Sequence, residues 1–201
     1  MVIVITVLAN YVGSIAALEP CYGKDGGNAT RVYTRVGKVF VLERKLNTVL
    51  KNLACHYGAD LVALRKNYGE AFNTSYDTPI ALSQDLVLVP VKARKPLTEK
   101  DGATAYVNAC SVKKVLPLKE GDFKCCLELE GGGELRSFFT ASIVEERLNR
   151  GRLAKKYYCY LRTEYKDQEG ASMVLETDRD DNIDKLITTV GKLLQELLNN
   201  R

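Results

Sequence analysis

Strand-like runs lie before and after the mid-chain helical stretch and again before the later ones, and the two kinds of segment do not alternate regularly. That order disfavours a βαβ layout with a parallel sheet. It predicts an α+β fold with a mostly antiparallel sheet drawn from both halves of the chain. Residues 2–8 (VIVITVL) and 14–18 (SIAAL) read as strands, and 23–28 (GKDGGN) as a turn. Residues 30–43 hold one or two further strands, with Gly37 at a bend. Residues 79–91 form two short strands around Ser83, Gln84 and Asp85, closed by Pro90. The charged stretch 92–102, with Pro96 and Gly102, is expected to be an exposed loop. Strands follow at about 103–116, 122–130 and 133–139, the last two joined through EGGGE at 130–134.

Helical periodicity marks three places. Leu46, Val49, Leu50, Leu53 and Ala54 recur at helical spacing in mid-chain, and Gly58 is the natural stop. Residues 59–78 mix short helical and loop signals. A basic helix is expected from about 141 to 164, after the hairpin, with Gly151 a point where it could break. A C-terminal amphipathic helix is expected at 182–198. Ile183, Leu186, Ile187, Val190, Leu193, Leu194, Leu197 and Leu198 follow its period without a miss. The expected organisation is a single domain over 1–201, in which 179–201 serves packing or oligomerisation through Leu186, Val190, Leu193 and Leu197.

The apolar start has no Lys or Arg before it, as a secretory signal would require, and polar Asn10, Tyr11 and Ser14 interrupt it short of a membrane span. The expectation is a strand and a cytoplasmic protein without a membrane partner, although Asn28-Ala29-Thr30 and Asn73-Thr74-Ser75 match the glycosylation pattern. The six cysteines show no C-x-x-C spacing and read as reduced thiols. The single histidine, His56, has no neighbouring carboxylate and nucleophile to work with, and it suits the end of a helix. Gly131 to Gly133 lack the Lys-Ser/Thr of a phosphate loop. No catalytic residue, metal or cofactor is expected, and the chain is not read as an enzyme.

Residues 147–162, RLNRGRLAKKYYCYLR, carry six cations and no anion, and the 35 residues from 167 onward carry eight anions and four cations. On a helical wheel Leu153, Ala154, Tyr157, Tyr160 and Leu161 gather on one arc. Arg152, Lys155, Lys156, Arg162 and Lys166 gather on the other. Surface helices usually mix signs, because Glu–Lys pairs stabilise them. A face of one sign repels itself, and phosphates are its commonest outside partner. A merely solvated basic face is the plainer alternative. The candidate DNA contacts are Arg152, Lys155, Lys156 and Arg162, helped by Arg147 and Arg150.

Order and spacing also carry a likeness. CHYGADLVALRK at 55–66, PIALSQDLVLVP at 79–90, YVNACSVKKV at 106–115 and GGGELRSFFTASIVEERLNRGRLAKKY at 131–157 follow one another. In this the chain resembles the competence transcription factor ComK family. Leu64, Tyr106 and the Ala59-Asp60 pair depart from the family pattern, and Asp60 would add a negative charge near a DNA surface. The resemblance implies a cytoplasmic transcription activator. It would bind AT-rich double-stranded DNA, largely through the minor groove, as a dimer or higher oligomer. It adds Arg65 and Lys66 to the candidate DNA contacts, and it implies a protease adaptor binding between Ser172 and Glu176. Two other readings stand beside it. One is a LytTR-like DNA-binding unit over 103–153; the other is a protein-interaction module using the C-terminal leucine stripe.

Overall fold

The computed structural model describes Leu8 and residues 10–74, 77–99 and 101–169, with side chains as far as Arg162. Of the expected strand at 2–8 only Leu8 is described, and it is helical; the adaptor segment at 172–176 and the helix at 182–198, with Leu186, Val190, Leu193 and Leu197, lie outside the described residues. The fold is α+β, and its described strand pairs are antiparallel.

Six strands form the main sheet: β1 (Ile15–Tyr22), β2 (Asn28–Thr34), β3 (Val39–Leu42), β4 (Ile80–Ser83), β5 (Leu86–Lys92) and β6 (Thr104–Asn108), in the order β3-β2-β1-β6-β5-β4. A second sheet holds β7 (Val112–Glu120), β8 (Phe123–Leu129) and β9 (Glu134–Ser137) in sequence order. Helix α1 (Leu46–His56) and helix α2 (Leu61–Ala71) cover one face of the main sheet. The small sheet and the start of α3 (Ala141–Glu169) cover the other.

The alternation of side chains along the strands divides the core accordingly. Ile15, Leu18, Leu86 and Leu88 meet Val49, Leu50 and Leu53 of α1. Ala17, Val89, Val91, Ala105 and Val107 meet Leu127, Leu129 and Leu135 of the small sheet, with Val144 and Leu148 of α3. With both faces covered, β5 reads as an unbroken apolar run.

The strand expected at 103–116 is two strands. The chain leaves the main sheet after Asn108 and enters the small one at Val112. Buried Asn108 supplies the hydrogen bonds that the backbone loses there. Its Nδ2 donates to the carbonyls of Ile15 (3.0 Å) and Asp85 (2.9 Å). Its Oδ1 accepts from the amides of Val87 (3.3 Å) and Cys110 (3.1 Å). Residues 59–78 hold, as expected, a short helix, α2, with turn and loop residues after it. Asp60 caps a regular helix, its Oδ1 accepting from the Ala63 amide at 2.8 Å. Gly58 takes φ +68° where α1 stops.

The loop after β5 is pinned by a carboxylate. Asp101 accepts from the Tyr22 hydroxyl and Asn28 Nδ2, each at 2.7 Å, and from the Thr98 amide at 3.0 Å. These donors hold its carboxyl well below the usual carboxylate range. A depressed folded pKa gives stability that is present above the unfolded value, about 3.9. That stability is lost as pH falls through the folded value. At neutral pH the loop is therefore expected to protect the Arg94–Lys95 bond from trypsin, the next bond being resistant because Pro96 follows it. Asp101→Ala should expose that site at neutral pH. Equal cleavage of both proteins would show that the network does not hold the loop.

Candidate nucleic-acid interface

Thr140 starts α3, its carbonyl accepting from the Val144 amide at 3.1 Å. The buried side of the helix follows a spacing of four, three and three: Val144, Leu148, Gly151, Ala154. Gly151 does not break the helix. It sits where the helix comes closest to the sheet, and a Cβ there would lie 2.5 Å from Val89 Cγ2 and 2.9 Å from Ala109 Cβ. Beyond it Tyr157 turns to α2 and meets the ring edges of Tyr68 at 5.9 Å and Phe72 at 6.2 Å. Tyr157 is thus half-buried against the core, on the side its place on the apolar arc implied, whereas Tyr160 is exposed.

The six cations of the basic segment divide. Arg147 points inward. Its guanidinium bonds Asp77 at 2.7 Å, donates to the Pro90 carbonyl at 2.8 Å and lies 4.3 Å over the Phe139 ring, with its side chain 12% exposed. Burial draws its pKa below the ordinary arginine value, and Asp77 opposes that. The same contact accounts for Pro90 within β5. Strand β4 ends opposite Leu88, so the side of Pro90 without an N–H faces no strand, and Arg147 takes its carbonyl. Arg147 therefore leaves the outward set. Arg150 is spent on Glu146 one turn back, at 2.6 Å.

Arg152, Lys155, Lys156 and Arg162 remain outside and form no ion pair among the described residues. Arg152 donates to Asn149 Oδ1 at 2.6 Å, and Arg162 lies 5.2 Å over the Tyr158 ring. Lys155 reaches the turn between the two sheets, its Nζ donating to Cys110 Sγ at 3.8 Å. Lys156 is exposed.

Arg65 and Lys66 lie on α2, the helix whose Leu64 and Tyr68 share a cluster with Ala154 and Tyr157 of α3. Arg65 donates to the Tyr106 hydroxyl at 3.0 Å, and Lys66 stands 4.0 Å from Glu70. The Asp60 carboxylate serves as a helix cap. His56 is exposed in the last turn of α1. Among the described residues no cluster of His, Cys, Asp or Glu could hold a metal. The described cysteines are free thiols, and burial pushes Cys125 up to about 11. Gly131 to Gly133 form a tight turn, as expected, and not a phosphate loop. A Cβ on Gly131 would meet the backbone of Thr34, Arg35 and Gly37. Among the described residues, no helix is long and apolar enough to cross a membrane.

Two lysines missed in the sequence stand next to the basic helix. Helix α3 packs along β7 as well as β4, β5 and β8. Exposed Lys113 and Lys114 open β7 just past the turn that Lys155 touches. Their proximity to α3 depends on the chain's change of sheet, which no local signal announces. Compared with family models, with curated proteins and with solved structures, the chain matches none.

Proposed function

We propose that the outward side of α3 binds the phosphate backbone of double-stranded DNA, and that the chain is a transcription regulator of the ComK type. The observation that carries the first part is the division of the cations. Arg147 turns inward to Asp77 and Arg150 pairs with Glu146 on the surface, and Arg152, Lys155, Lys156 and Arg162 are left on one arc of a helix packed on the sheet. Fixed cations displace condensed counterions from a duplex and gain affinity without reading sequence. The second part rests on the resemblance, which also supplies the preference for AT-rich sites and the minor-groove readout. Such a preference comes from groove width and from residues other than the phosphate contacts.

A salt titration tests the proposal. Changing Lys155 and Lys156 together to Glu should weaken binding to AT-rich and GC-rich duplexes alike. Each lost contact should flatten the slope of log affinity against log salt by about one. The preference between the two duplexes should survive. Equal affinities and equal slopes for wild type and double variant would make the arc a solvated face.

A further inference from the structure

We infer that the β-bulge opening β7 belongs to the same phosphate-binding surface, and that Lys113 and Lys114 carry it from α3 onto the strand; the inference rests on the nucleic-acid reading of α3. Along a plain strand, side chains that share a face are two apart. In β7 the core-facing residues Val112 and Val115 are three apart. The register shows why. Val112 stands opposite Leu129 and Lys114 opposite Glu128, so β7 spends one more residue than β8 over the same interval. The extra residue is Lys113. It has no cross-strand partner, and both lysines end up exposed between two valines that face the core. Bulges re-aim side chains in this way beside functional sites.

The position relative to α3 is as informative as the bulge. Arg152 and half-buried Lys155 follow Leu148 at spacings of four and three, along the border between the buried and outward sides of the helix. Leu148 lies in the core cluster against which Val112 and Val115 pack. Lys155 Nζ lies 3.8 Å from Cys110 Sγ. From Cys110 to Lys113 the chain can extend at most roughly 10 Å. Each strand of a duplex carries one phosphate charge per ~3.4 Å of axis, so cations spread over roughly 10 Å meet different phosphates of one backbone. The two lysines are not equivalent. Lys114 shares its field with Glu128 across the ladder, and Lys113 has no acid opposite it.

Edge strands also carry lysines merely to prevent pairing with other chains. The experiment separates the two roles. Wild type, Lys113→Ala, Lys114→Ala and the Lys155/Lys156 double Glu variant are titrated with salt on one AT-rich duplex, with sedimentation run in parallel. Lys113→Ala should flatten the slope by about one and cost roughly 3-fold more affinity at low than at fourfold higher salt. Lys114→Ala should do less. A Lys113→Ala slope equal to wild type, beside a flattened slope for the α3 variant, overturns the inference and leaves the α3 reading standing. Self-association of Lys113→Ala with unchanged binding overturns it in favour of an edge guard. Wild type that ignores the duplex but binds phosphatidylserine vesicles overturns both.

Discussion

Replacing Gly151 by Leu is expected to lift α3 from the main sheet and lower stability by about 3 kcal/mol, the upper end of what overpacking a filled core costs. Glycine inside an exposed helix is a weakness, and alanine there usually adds about 1 kcal/mol. Here the sign should reverse. A Cβ would overlap Val89 Cγ2 in the middle of β5 and Ala109 Cβ in the turn just after β6, both fully packed. Gly151→Ala should therefore be destabilising, and shortening Val89 to Ala in the same chain should recover part of the loss. Urea midpoints at constant slope give the answer. A Gly151→Ala protein more stable than wild type would mean that the helix is not seated so closely.

Arg147→Met is expected to cost about 2 kcal/mol. Breaking a fully buried ion pair costs about 3–5 kcal/mol, and water reaches part of this one. Asp77 is 34% exposed, against 12% for Arg147. The loss would combine a stranded carboxylate, an unserved Pro90 carbonyl and a vacated Phe139 ring. Thermal unfolding measures it. Duplex binding by the folded fraction should keep its salt slope. A variant as stable as wild type but with a flatter slope would return Arg147 to the phosphate contacts.

Both residues show where the sequence could be read and where it could not. Period and stop signals placed α1, because Val49, Leu50, Leu53 and Ala54 form a stripe that only burial explains. The hairpin before α3 was legible in its glycines, and the apolar arc correctly sent Tyr157 inward. The bounds of helix α2 had a signal that was passed over. Asp60 is an N-cap residue, and Leu61, Leu64 and Tyr68 follow at helical spacing. Other features had none. A glycine packed on a neighbour and a glycine that breaks a helix look alike in sequence. A run of cations does not say that Asp77, seventy residues away along the chain, takes one of them. The change of sheet at 109–111 depends on the fourfold use of one buried amide, Asn108, and that in turn decides where Lys113 lies.

The strand order β3-β2-β1-β6-β5-β4 bears on how the chain reaches this state. Strands β1 to β3 join through short turns, and β5 follows β4 as a hairpin, so each half of the sheet can assemble from near neighbours. The halves meet only along β1 and β6, where Asn108 bonds the carbonyl of Ile15 across 93 residues. Closing so long a loop is slow compared with forming hairpins. During synthesis the inner edge of β1 must wait, unpaired, until β6 has left the ribosome. An open edge of that kind is the segment most exposed to wrong partners, so the yield of folded protein should depend more on β6 than on the strands that precede it.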